Sequence, residues 1–312
     1  MTLHNAPTPQ DPQDPGLASA RPPLQRGAHL WWAAAALLLS ACTTALPPPA
    51  ASVPNPPPVQ WSSTPGGIPV DVSYTATGQD SRVLFLILHY TVADLPQSLH
   101  ILTRRQVSSH YLLSDEEKPR VYRLVDEGRR AWHSGPSVWK GHRMLNASSI
   151  GIEIVHPGYR LGPDKERIYQ PFGQAQMDML VPLIRDIVAR HRIRPERILG
   201  HGEVTAQYKE DPGPTFPWRL LSELGITPPW PEESRVRARR TLFEASPPDV
   251  QWYQRSLAQH GYLVEPSGQW DEQTRRVLMN FQMRYRPSSY AGTPDAETAA
   301  LLYVLTTPLQ TP

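Results

Sequence analysis

The stretch "RVLFLILHYT", residues 82–91, decides the fold. From Val83 to Leu88 it is apolar without a break, and only then come His89, Tyr90 and Thr91. A half-exposed strand would alternate, so this run suits a central strand covered on both faces. Two other stretches read as its neighbours. "SSIGIEIV" (148–155) does alternate, with Ile150, Ile152 and Ile154 on one face and Gly151, Glu153 and Val155 on the other. "ERILGH" (196–201) is another short buried strand. Between them "QAQMDMLVPLIRDIVARH" (174–191) places Met177, Leu180, Val181, Ile184, Ile187 and Val188 at helical spacing. Pro182 lies inside that pattern and should kink the helix or cost it a hydrogen bond. Strands alternating with long helices indicate an α/β domain over about 70–230.

The flanks have a different texture. Of 36 prolines, 15 fall within residues 1–69, a composition that cannot bury enough apolar surface to fold. Within it, Arg21 and Arg26 precede the apolar run "LWWAAAALLL" (30–39), and "LSAC" ends at Cys42. A charged start, a short apolar core and small residues at the end form a secretory signal over 1–41, too short to span a bilayer comfortably. The segment 42–69 then reads as a Pro-rich tether. Beyond the α/β domain, "TPPWPEESR" (227–235) opens a linker placed at 231–245. Over 246–308, "VQWYQRSLAQHGYL", "GQWDEQTRRVLMNFQ" and "AGTPDAETAALLYVL" read as three short helices, with Asp271 and Asp295 at N-cap positions.

Charge and cysteine content narrow the chemistry. Thirty-one Lys and Arg against 29 Asp and Glu give a net charge of +2, no electrostatic case for nucleic acid. Cys42 is the only cysteine, which excludes an internal disulfide and a thiolate metal cluster. Any zinc must therefore be held by His and Asp or Glu. His89 ends one buried strand and His201 another, and the ends of adjacent strands converge at one sheet edge. Asp211, on a loop stiffened by Pro212 and Pro214, could be a third ligand, and Glu153 could reach the same cavity as general base. Taken singly, each histidine is better read as structural; the combination points to a metal hydrolase.

Together "LILHYT", "SSHYLL", "AWHSG", "LNASSIGIE", "GHGEV" and "KEDPGP", in that order along the chain, resemble the zinc-dependent N-acetylmuramoyl-L-alanine amidases of the type-2 family, relatives of the peptidoglycan-recognition proteins. The resemblance implies a mixed central β-sheet flanked by helices, followed by a small three-helix domain similar to a peptidoglycan-binding one. It implies one Zn2+ held by His89, His201 and Asp211, with Glu153 as catalytic glutamate and Lys209 facing the oxyanion. The reaction implied is hydrolysis of the amide between the lactyl group of N-acetylmuramic acid and L-alanine in peptidoglycan or muropeptides. Tyr90, Trp132, His133 and Asn146 are candidate substrate contacts. "LSAC" resembles a lipobox, implying lipidation of Cys42, membrane attachment and an outer-membrane lipoprotein facing the periplasm. A monomer is expected.

Several residues are left without a catalytic part. His110, among apolar neighbours, reads as structural, while His142 and His156 read as surface-loop residues. Glu203 and Glu210 have no assigned role, and Tyr208 stands where a basic residue often precedes the lysine. Three rivals stand against this reading, one of them a purely structural lipoprotein tethering membrane to wall, for which the triad would be ornamental. A non-catalytic peptidoglycan-binding lipoprotein would lack a ligand or the glutamate, and all are present. A zinc deaminase, suggested by His201-Gly202-Glu203, would need a downstream "PCxxC" that this chain does not have.

Overall fold

The computed structural model describes residues 56–307. The signal segment 1–41, Cys42 and the first part of the tether lie outside the described residues. Within Met1–Thr75, one compact unit, the described part holds a small antiparallel hairpin of β1 (Trp61–Ser63) and β2 (Pro69–Asp71). The second unit, Ala76–Pro312, carries everything else.

That unit begins with β3 (Phe85–Tyr90), α1 (Leu95–Arg104), β4 (Tyr111–Leu113) and β5 (Val121–Arg123). A short hairpin of β6 (Val138–Trp139) and β7 (His142–Arg143) leads to β8 (Ser149–Ile154). A second hairpin follows, β9 (Tyr159–Leu161) with β10 (Arg167–Tyr169), then α2 (Gln174–His191) and β11 (Ile198–Gly200). Six helices finish the described chain: α3 (His201–Val204), α4 (Trp218–Glu223), α5 (Glu233–Ala245), α6 (Val250–His260), α7 (Glu272–Tyr285) and α8 (Ala296–Thr306).

The main sheet has the order β11-β3-β8-β4-β5. The first three pairings are parallel and β4–β5 is antiparallel, so the sheet is mixed. Every residue of β3 is buried, which explains its unbroken apolar run. One sheet face, with Leu86, Leu88, Ile150, Ile152 and Ile154, packs on Met177, Leu180, Ile184 and Ile187 of α2. The other, with Phe85, Ile87 and Leu199, packs on Leu257, Val277, Leu278, Phe281 and Leu302 of the C-terminal helices. The alternation read in β8 is therefore a division between the α2-side core, which takes its isoleucines, and the cavity side, where Gly151 meets His133 and Glu153 lines the cavity. α2 runs through Pro182, a residue with no N–H to give to the helix ladder.

Three expectations differ from the structure. The segment 42–69, read as a Pro-rich tether without a fold, carries β1 and the first residue of β2, where backbone pairing makes a hairpin without a buried core. Residues 231–245, read as a linker, are mostly the thirteen-residue helix α5, which packs along α8. Its apolar anchors are few, Val236 and Phe243, and both are only partly buried. His156, read as a surface-loop residue, is buried and stacked on Phe172 with ring centroids 4.0 Å apart. His142 does lie exposed, on β7. Among the described residues no helix is long and apolar enough to cross a membrane.

Candidate active site

Sheet register assembles the site. Across parallel strands Gly200 lies opposite Leu88, and His89 lies opposite Glu153. His201 comes directly after Gly200, so His201, His89 and Glu153 form one row at the carboxyl ends of three adjacent strands. Residues paired across parallel strands point to the same face, and this row opens at the strand-end edge where α/β sheets place their sites.

Asp211 arrives from the loop that follows α3. The loop turns at Gly213, whose φ of 78° is the left-handed conformation that a side chain disfavours. His89 Nδ1 is 3.1 Å from His201 Nδ1 and 3.1 Å from Asp211 Oδ2, and His201 Nδ1 is 3.2 Å from the same oxygen. All three side chains are buried. Ligands held about 2.0–2.1 Å from one tetrahedral ion stand roughly 3.3 Å apart, so two nitrogens and an oxygen at these spacings fit a single zinc-sized ion. The set is also chemically apt, since neutral imidazoles and a carboxylate are the usual partners of such an ion. Among the described residues this is the one group of three such side chains close enough to share a metal.

The electrostatics fit the same use. Burial pushes His89 down to about 4, and His201 beside it acts in the same direction. Burial alone would raise Asp211, but His201 and His89 outweigh it and hold the carboxyl well below its ordinary range. A neutral His89 ring and an ionised Asp211 carboxylate are protonation states a metal needs. Glu153 is pushed the other way, well above the carboxylate range, by burial and then by Asp211, with Lys209 partly offsetting them. Its Oε2 is buried without a hydrogen-bond partner.

One cavity is lined by His89, Glu153, His201, Lys209 and Asp211, and its walls include Tyr90, Trp132 and His133. Trp132 is 51% exposed, a tryptophan at the rim rather than in the core. Tyr90, beside a candidate ligand, is buried, and burial together with Glu210 drives its hydroxyl well above the usual phenol range.

Asn146 is the exception among the candidate contacts. It does not line the cavity; its Oδ1 accepts from His133 N at 3.0 Å and from Ser134 N at 2.8 Å, tying down the loop that carries His133. His110, read as structural, donates from Nε2 to Arg129 O and accepts the Gly151 N–H on Nδ1. Tyr208 is 73% exposed.

The two acids without a role have definite partners. Glu210 accepts from Arg167 and from Tyr169, on β10. Glu203 is buried at 4% exposure and pairs with Arg284 of α7 at 2.5 Å, while its Oε2 also accepts from Gly200 N. Glu203 thus stays out of the metal cluster yet is part of the support behind His201. The sequence carries no local sign of this, because Arg284 lies 81 residues away.

Comparison with known proteins agrees with this geometry. Residues 79–214 match the N-acetylmuramoyl-L-alanine amidase family model, and residues 246–302 match a peptidoglycan binding domain. The chain is 41% identical over 250 residues to the N-acetylmuramoyl-L-alanine amidase AmiD of Escherichia coli K12, covering 77% of this chain and 88% of that one. A solved structure of E. coli AmiD, in complex with the substrate anhydro-N-acetylmuramic acid-L-Ala-D-gamma-Glu-L-Lys, superposes with a TM-score of 0.69 at 39% identity, covering 78% of this chain and 96% of that one. The structure of AMPDH3 from Pseudomonas aeruginosa gives 0.68 at 34% identity, covering 74% and 94%.

Proposed function

Because the chain belongs to the N-acetylmuramoyl-L-alanine amidase family, we propose that its cavity binds a muramoyl peptide over one zinc ion and cuts the amide between the lactyl group and L-alanine. The observation that carries this reading is the row His201, His89 and Glu153, closed by Asp211 and facing Lys209 in a single cavity. His89, His201 and Asp211 would hold the zinc. When bound, zinc lowers the pKa of a water and polarises a carbonyl.

The remaining work falls to side chains of this chain. Glu153, raised by burial, is a strong enough base to take a proton from the attacking water. It then returns that proton to the departing L-alanine nitrogen, so acid and amine are released with no covalent enzyme intermediate. Lys209 lines the same cavity and supplies positive charge where the tetrahedral oxygen develops. Trp132 and Tyr90 offer apolar and aromatic wall to the sugar or the peptide. That the E. coli relative was solved with an anhydromuramoyl tripeptide supports substrates of this class.

For the ends of the chain, we read Cys42 as a lipidated first residue and the protein as a cell-envelope lipoprotein of the outer membrane. The "LSAC" pattern supports this. The C-terminal helices would touch peptidoglycan, in keeping with the domain model they match.

The test is incubation of the protein, lacking only residues before about 56, with muropeptides or whole sacculi, reading products by mass spectrometry. Free stem peptide should appear, vanish on chelation and return with zinc. Undiminished release after chelation and dialysis would remove zinc from the reaction.

A further inference from the structure

Resting on that reading of the metal site, we infer that His133 is a positioning residue that fixes the proton of His89, through a hydrogen-bonded chain with a forced direction. The chain starts at a group that can only accept. Ser149 Oγ lies 2.7 Å from the carbonyl oxygen of Leu145, which takes the hydroxyl proton. Toward His133 Nε2, 3.2 Å away, Ser149 Oγ can then only accept, so that nitrogen carries hydrogen. A neutral ring with Nε2–H has a bare Nδ1. His133 Nδ1 is 3.0 Å from His89 Nε2, which must therefore be the donor. His89 is left with its lone pair on Nδ1, the atom that faces His201 and Asp211.

Each part of this arrangement has a dedicated residue. Asn146 Oδ1 accepts the backbone N–H of His133 and fixes its loop. Gly151 leaves the space the ring occupies, since a Cβ there would sit 2.6–2.8 Å from three of its atoms. His110 packs edge-on against the ring with centroids 5.7 Å apart. Ser149, Gly151 and Glu153 lie on one face of β8. One side of a single strand therefore anchors the relay, makes room for it and presents the general base. Five of the nine residues of "LNASSIGIE" have a part in it: Leu145 accepts, Asn146 holds the loop, Ser149 sets direction, Gly151 clears space and Glu153 reacts.

A residue that merely touched substrate would act on KM and leave metal affinity alone. Partners that orient a metal-bound histidine are commonly worth about 10–100-fold in metal affinity. The experiment measures zinc affinity by chelator competition and the visible spectrum of the cobalt-loaded protein. It compares the wild type with His133→Phe, His133→Asn and Ser149→Ala. His133→Phe should weaken zinc roughly 10–100-fold and shift the cobalt bands, and His133→Asn, which keeps an acceptor oxygen, should recover part of the loss.

Nitrogen NMR of the metal-free wild type supplies a reading that needs neither activity nor metal. His89 and His133 should both be Nε2–H tautomers. Finding His89 protonated on Nδ1, or His133→Phe binding zinc as tightly as the wild type with only KM raised, would overturn the inference. A wild type that holds zinc without releasing peptide would overturn the proposed reaction and leave the tautomer result to stand on its own.

Discussion

Glu153 carries the sharpest consequence at the scale of one side chain. Its carboxyl is buried beside Asp211 and pushed well above its usual range, so it has reason to keep a proton once it has taken one. Glu153→Gln keeps the shape and removes that capacity. The expected result is a fall in kcat of about 10²–10⁴-fold, with zinc content by metal analysis unchanged. Full kcat in that variant would take Glu153 out of the chemistry. Asp211→Ala should instead lose the metal, because it removes one of three donors about 3 Å apart. His89, His201 and Glu153 are legible in the amino-acid order alone, because short apolar strands announce their own ends and strand ends meet at an edge. The partners of Glu203 and Asn146 are not. A hydrogen bond between residues distant in sequence leaves no periodicity to read, and an asparagine in a loop looks alike whether it meets substrate or backbone.

Between elements, the loop after β5 is locked to α2 by Glu127. It accepts from Tyr111 of β4 at 2.6 Å and from His191 at 2.8 Å, and it pairs with Arg190. Burial opposes ionisation here, but Arg190, Tyr111 and His191 overcome it and hold the carboxyl at about 2. A folded pKa below the ordinary 4.5 means this contribution to stability is full above 4.5 and fades as pH falls toward 2. The wild type's melting temperature should therefore drop through that interval. Glu127→Gln should melt lower at pH 7 by a few degrees and fall less steeply on acidification, as read by circular dichroism. Parallel curves for the two proteins would remove Glu127 from the acid response. Elements also differ in how plainly their residues declare them. β3 announces itself by six buried residues in a row, whereas α5 buries none of its thirteen fully. A helix resting on Val236 and Phe243 alone, and beginning in a proline-rich stretch, carries little periodic signal, so it reads as a linker.

For the molecule as a whole, the question is whether the C-terminal helices are an appendage or part of the catalytic body. Their apolar side chains complete the core behind Phe85, Ile87 and Leu199. Asn280 of α7 donates to the carbonyls of Ala206 and Lys209, inside the loop that carries Lys209 and Asp211. Arg284 of the same helix pairs with buried Glu203, donates to Ile198 O and lies over the Trp218 ring at 4.0 Å. Taking away one member of a buried ion pair costs about 3–5 kcal/mol, because the other is left charged without a partner. Arg284→Met should therefore lose roughly that much in denaturant unfolding. The double variant with Glu203→Gln should recover a good part of it, since no buried charge remains. A chain ending at Ala245 would leave buried Glu203 without its partner and lose the Asn280 bonds and about half of that core at once. It should be insoluble or open, with zinc affinity lost along with activity. A truncated protein that kept both zinc and amidase activity would return the helices to the status of a detachable wall-binding module. The buried position of Arg284 argues for the opposite outcome, because a separable domain has no reason to bury a guanidinium in its neighbour's core.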